Sequence, residues 1–181
     1  MSNDKSKNEY HHLLIIPKLE SKSKKYYHLF KPKEIVVLQP FEFCFKIKNK
    51  GNIKFPGGVI EKPTIQFSKT AQRFLDKISI PEISKDETYT SPKDNAIAIE
   101  SDTAWFHLNV KSSDNKPINY YQLNKITNEE ELLEKEVKKW QDCFHIASEQ
   151  EMHQRYTNYL LLGLTIITIF LFIINVALLL R

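Results

Sequence analysis

His145, Glu149 and His153 follow one another at intervals of four residues. On a helix this spacing puts two imidazoles and a carboxylate on one face, donors suited to a divalent cation. The three would be spread along about 12 Å of helix axis, so adjacent pairs can share an ion and the full set cannot. A solvated polar face accounts for the same residues, and neither a metal nor a cofactor is expected. Cys143 and His145, two apart, would point in different directions on a helix. His11 and His12 form an isolated pair next to a polar terminus. The only glycines are Gly51, Gly57, Gly58 and Gly163, from which no phosphate-cradling loop or G-x-G-x-x-G can be built. G-x-S-x-G and H-E-x-x-H are also absent. The expectation is therefore of a non-enzyme. The residues best suited to touching a partner are Trp105 and His107, together with the irregular stretch holding Phe55, Gly57 and Gly58.

The elements that must position these residues read as mainly β up to about Tyr121. Phe41, Phe43, Phe45 and Ile47 alternate with Glu42, Cys44, Lys46 and Lys48, which predicts a strand with the first set buried. Ala104, Phe106, Leu108 and Val110 alternate with Trp105, His107 and Asn109 in the same way. Trp105 and His107 should thus face outward, where Trp105 marks a contact surface or packs under a loop. Shorter candidates are Leu13–Ile16 (ended by Pro17), 34–38, 59–60, 64–67 and 118–121. Residues 74–83 carry spaced apolar positions, and 84–95 read as loop. Asn49-Lys50-Gly51-Asn52 reads as a turn. Several short strands with turns between them over residues 11–121 predict a β-sandwich, preceded by a disordered segment, 1–10.

The pattern changes at Thr127-Asn-Glu-Glu130, which has the form of a capping box. Leu133, Val137, Trp140, Phe144 and Ala147 then recur at spacings of four and three. They predict an amphipathic juxtamembrane helix over 127–155, either a short coiled coil joining two chains or a helix laid on the sandwich or membrane surface. Residues 159–180, YLLLGLTIITIFLFIINVALLL, contain no charge and no proline. About 22 residues at about 1.5 Å each reach about 33 Å, enough for the hydrocarbon core of a bilayer. Arg155 and Arg181 bracket the run, and Tyr156 and Tyr159 sit where an aromatic belt belongs. Asn175 is the one strong hydrogen-bonding side chain deep within it. It can favour a homo-oligomer or satisfy itself near the far interface.

With no signal-peptide core near the N-terminus, the chain reads as tail-anchored and single-pass. Its soluble part is expected in the cytosol, with an extracellular orientation left open. The 2 cysteines do not suggest a disulfide framework. The formal net charge is +4, nearly all of the basic residues being lysine. Arginine, the residue suited to bidentate phosphate or base contacts, stands only at positions 73, 155 and 181, and no nucleic-acid partner is expected. The lysines at 18, 22, 24, 25, 31 and 33 could touch anionic headgroups or simply form a solvated loop.

The segment PFEFCFKIKNKGNIKFPGG, Pro40 to Gly58, resembles the second-strand region of immunoglobulin-like adhesion or CARDB-type domains. Those show an alternating strand followed by V-x-N-x-G, matched here by Ile47, Asn49 and Gly51. Ile80-Pro-Glu-Ile-Ser-Lys-Asp-Glu87 is similar to their later L-x-P-G-E stretch without its Pro-Gly pair. The resemblance covers about residues 34–121 and implies an immunoglobulin-like β-sandwich. The order of sandwich, helix and anchor is also similar to VAP-type proteins, whose MSP domain recruits peptide motifs to membranes, although their basic signature is missing. The expected function is a membrane-anchored module that binds a protein partner. The alternative is an accessory subunit that assembles with other membrane proteins through Leu133, Val137, Trp140, Phe144 and Asn175.

Overall fold

The computed structural model describes residues 10–22, 34–100, 102–124, 126–133 and 139–180. Two mixed sheets face one another and a single long helix follows them. The first sheet holds β1 (His11–Ser21), β3 (Pro40–Asn49), β7 (Thr88–Thr90), β8 (Asp94–Ile97), β10 (Ile118–Leu123) and β11 (Glu130–Leu132), in the order β11-β10-β1-β3-β7, with β8 also on β3. The second holds β2 (Ile35–Val36), β4 (Gly58–Gln66), β5 (Gln72–Phe74), β6 (Ile78–Ile80), β9 (Asp102–Ser112) and β12 (Trp140–Ala147). Its order is β2-β12-β9-β4-β5, with β6 also on β4. The pairs β1–β10 and β2–β12 are parallel and the others antiparallel.

The two strands with clean alternation form as expected. Phe41, Phe43, Phe45 and Ile47 of β3 and Ala104, Phe106, Leu108 and Val110 of β9 are all buried and meet across the sandwich. Phe106 lies 5.1 Å from Phe45 edge-on and 5.0 Å from Phe144 in a stack, contacts that contribute about 0.5–1.5 kcal/mol each beyond the area they bury. Cys44 lies on the opposite side of β3 from these rings, yet is also buried. Neither it nor Cys143 forms a disulfide.

Pro17 does not end β1, which continues to Ser21. Pro17 stands opposite Phe45, whose N–H donates to Ser91 Oγ (2.9 Å) and whose carbonyl accepts from Ser91 N. Phe45 thus turns its backbone groups away from β1. The missing proline N–H breaks no ladder bond there. Two further strands, β7 and β8, occupy part of the polar stretch 84–95 that reads as loop. The candidates at 59–60 and 64–67 are parts of one strand, β4, interrupted by a register shift between Glu61 and Thr64.

The expected helix over 127–155 forms only from Glu149 onward. Residues 140–147 are β12, paired with β9 from Trp140↔Leu108 to Ile146↔Asp102, so the sandwich extends to Ala147. Trp140, Phe144 and Ile146 are core residues. The register puts polar Asp142 between Trp140 and Phe144, opposite Phe106, and this interrupts the period-two signal. Ala147, on the other side by parity, is buried at the junction with the helix. Together they leave a false spacing of three and four.

The helix, α1 (Glu149–Leu179), starts one residue after β12. Ser148 caps it: its hydroxyl accepts from Glu151 N (3.1 Å), and Glu151 Oε2 accepts from Ser148 N (2.7 Å). This is the reciprocal capping box, placed at 148–151 and not at 127–130. α1 is the one helix among the described residues that is long and apolar enough to cross a membrane, and its apolar stretch is not buried against the sandwich.

Candidate functional site

β9 sets the candidate surface. Its inward set is locked into the aromatic core, so Trp105 and His107 must project from the other side. Trp105 stands opposite Cys143 on β12 and Gln66 on β4, and His107 opposite Gln141 and Thr64. Thr64 in turn stands opposite Phe74 on β5. One outer sheet face therefore carries Phe74, 63 % exposed, in the cross-strand row of Thr64 and His107, and Trp105, 42 % exposed, in the next row. The His107 Nε2–H donates to Gln66 Oε1 at 2.9 Å. Burial first, and the charge of Lys139 second, hold its imidazole below the ordinary histidine value, which favours the neutral ring at neutral pH. The face thus offers two aromatic rings, amides and a neutral imidazole, groups suited to apolar and hydrogen-bonding contact with another protein. Phe74 carries no sequence signal for this face. The pairing of a three-residue strand with Thr64 is a long-range fact with no local signal.

The structure separates Phe55, Gly57 and Gly58 from this face. Phe55 is fully buried; it exchanges backbone hydrogen bonds with Ile83 (2.9 and 3.0 Å) and meets His11 edge-on at 5.2 Å. It is a core residue and not a contact residue. Gly57 has φ +84°, and a Cβ there would lie 2.9 Å from the Ile80 carbonyl oxygen. A Cβ on Gly58 would lie 2.2 Å from the Lys111 carbonyl oxygen. Both glycines let backbones approach closely. That requirement is structural.

The helix-association set is also redistributed. Trp140 and Phe144 are in the core, and Leu133 packs against it. Val137 lies outside the described residues. Asn175 is on α1 as expected. The α1 threonines donate to their own helix: Thr165 to the Leu161 carbonyl (2.8 Å) and Thr168 to that of Leu164 (2.9 Å). The proposed metal face loses its premise, because His145 is on a strand while Glu149 and His153 are on α1. His145 Nε2 lies 3.6 Å from Glu151 Oε1 instead. Among the described residues, no group of three or more His, Cys, Asp or Glu side chains could hold a metal ion.

Two polar clusters fasten the far end of the sandwich. Asn49 is buried and donates to the carbonyls of Ile53 (2.8 Å) and Ile83 (3.0 Å), while its Oδ1 accepts from Gly51 N (2.9 Å). The Asn-x-Gly turn read from sequence is this side-chain clamp. Asp114 accepts from Ser112 Oγ (2.6 Å) and, with both oxygens at 3.0 Å, from His11 Nε2. The Ser112 hydroxyl first, helped by His11 and the Lys116 N–H, holds the Asp114 carboxyl well below the usual range although burial opposes it. The carboxylate stands between hydroxyl and imidazole, so Ser112 gains no general base. The cluster ties the start of β1 to the β9–β10 turn. His12 is pulled below its ordinary value by burial, then by the charge of His11.

Of the lysines that could touch headgroups, 24, 25, 31 and 33 lie outside the described residues. Lys18 is exposed on β1, and Lys22 lies 3.5 Å from Glu42 and 3.7 Å from Glu20.

The fold has solved counterparts. The chain is similar to the CARDB domain of a Pyrococcus furiosus protein solved in complex with di-metal ions (TM-score 0.42, 14 % identity), covering 77 % of this chain and 94 % of that one. It is also similar to a Bordetella pertussis protein designated ApaA (TM-score 0.40, 8 % identity), covering 76 % and 95 %. These likenesses concern the fold alone. The first is a domain of the type that Pro40–Gly58 resembles. No protein-family model matches the chain, and no curated protein matches it.

Proposed function

We propose that this chain is a single-pass membrane protein in which α1 spans the bilayer through residues 159–180 and holds the β-sandwich at the membrane as a non-catalytic protein-binding module. The observation that carries the reading is the direct joint between β12 and α1. Core strand, capped helix start and apolar span are contiguous, so the domain is attached without a linker. The binding surface is the outer face with Phe74, Trp105 and His107. A photo-crosslinking residue at Trp105, in membranes expressing the full chain, tests this. The reading expects one discrete adduct that is lost when Phe74→Ala is added and absent when the crosslinker is at Lys116. Equal labelling from both positions contradicts it.

Asn175 favours a second reading, association through the span. Its side-chain amide makes no hydrogen bond among the described residues, whereas the hydroxyls of Thr165 and Thr168 do. An amide in hydrocarbon gains by pairing with another helix, by about 1–2 kcal/mol in model peptides. If Asn175→Leu abolishes a complex that Trp105→Ala leaves intact, the accessory-subunit reading replaces the first.

A further inference from the structure

We propose that the end of the sandwich from which α1 leaves rests on the bilayer, with Leu38, Ile97 and Ile99 inserted at the boundary between headgroups and acyl chains. The inference rests on the reading of α1 as a membrane span. Three large aliphatic side chains converge there from two segments. Leu38 N–H donates to the Ala98 carbonyl (2.7 Å), Ala98 N–H to that of Gln39 (3.4 Å), and Ile97 pairs with Pro40. Ala96 and Ala98 are buried, so Ile97 and Ile99 alternate outward, 55 % and 51 % exposed.

Leu38 is the sharper observation. It is 67 % exposed and has φ +59°. It occupies the third position of a turn closed by Gln39 N–H donating to the Val36 carbonyl (3.2 Å). Glycine or asparagine meets that backbone requirement most easily. A branched aliphatic residue there strains the backbone and holds an apolar side chain in the open. Such strain clusters at functional surfaces.

The occupant follows from what adjoins the patch. Val37 N–H donates to the Ala147 carbonyl (3.0 Å), and Ala147 directly precedes the α1 cap. Arg155 Nη1 donates to Glu34 Oε1 (2.6 Å), which holds the second turn of α1 against the start of this loop. Tyr159 is four positions beyond Arg155, about 6 Å along the axis. The headgroup zone is about 5–7 Å deep on each side, so a short lean of the domain brings the patch to it. The charges nearby do not call for anionic lipid: Arg155 is engaged by Glu34, and Glu100 accepts from Ser68 (3.1 Å). The attraction is apolar, and zwitterionic headgroups suffice.

The test uses the full chain in phosphatidylcholine vesicles, in a Cys143→Ser background, with a fluorophore placed singly through Leu38→Cys, Ile97→Cys, Ile99→Cys, Leu164→Cys or Lys116→Cys. Nitroxide lipids labelled near the headgroup should quench positions 38, 97 and 99 and leave 116 bright, without enhancement by anionic lipid. The dye at 97 should lose part of this quenching in Leu38→Asn, a variant that suits the left-handed turn and keeps the fold. Quenching of 38, 97 and 99 by aqueous iodide alone overturns the proposal. So does protection from both quenchers, which means that a second copy or another protein covers the patch. If deep nitroxide lipids quench 164 in those cases, the span stands and only this inference fails. If they leave 164 bright, the membrane reading fails with it.

Discussion

Truncating Trp140 separates the observed fold from the helical alternative for this segment. The side chain is fully buried and lies 6.5 Å from Phe45, edge-on. A buried tryptophan removes about 200 Å² from water, or about 5 kcal/mol at ~25 cal/mol per Å². Residual burial in the unfolded chain lowers this to about 3–5 kcal/mol for Trp140→Ala. At about 3 °C per kcal/mol for a domain of this size, the β-sheet melting transition should fall by roughly 10 °C. Trp140→Phe should behave differently. The indole Nε1 is buried with no hydrogen-bond partner among the described residues. Removing an unsatisfied donor returns about 1–3 kcal/mol against the smaller area lost, so the net change should stay within about 1 kcal/mol. The assay is thermal unfolding of the full chain in detergent, followed by the sheet signal in circular dichroism, with exposed Trp105→Ala as the comparison. A Trp140→Ala transition within about 2 °C of the parent would refute the placement of β12 in the core.

Three other outcomes follow from the same contacts. Gly58→Ala should prevent proper pairing of β4 with β9, seen as loss of the cooperative sheet transition, because its Cβ would lie 2.2 Å from a backbone oxygen. Asn49→Ala removes three side-chain hydrogen bonds and leaves the Ile53 carbonyl and the Gly51 N–H without this partner, while the Ile83 carbonyl keeps the Phe55 N–H; two such groups at about 1–3 kcal/mol each should cost about 2 kcal/mol or more in denaturant titration. Asp114 has a folded pKa depressed below its unfolded value. Its contribution is fully present above the unfolded value of about 3.9 and is lost as pH falls through the folded value. Asp114→Asn should therefore flatten the loss of stability between about pH 5 and pH 2 relative to the parent chain.

The sequence showed what local periodicity can show. Alternation placed β3 and β9 and the side on which Cys44, Trp105 and His107 lie, and the uncharged run placed the apolar helix. It failed where a local pattern and a distant pairing conflicted. Asp142 interrupted the alternation of β12, and Ala147 completed a misleading helical spacing. Pro17 reads as a terminator, because nothing local shows that Phe45 turns its backbone toward Ser91. Thr127-Asn-Glu-Glu130 and Ser148-Glu-Gln-Glu151 carry the same capping signature, and the one that caps a helix is the one beside the apolar run. The candidate face was half legible. Trp105 and His107 follow from period two on β9, whereas Phe74 reaches them only through the pairing of β5 with β4. Phe55 and the two glycines read as a binding loop because irregular loops often bind. Here the irregularity lets β4 lie against the Lys111 backbone.

The most direct test of a sandwich carried on a membrane-spanning helix is alkaline extraction of membranes containing either the full chain or a version ending at Asn158. The full chain should stay in the membrane pellet. The shortened version should be released with its sheet transition intact, since β12 and its partners all precede the cut. Release of the full chain by alkali would contradict the account.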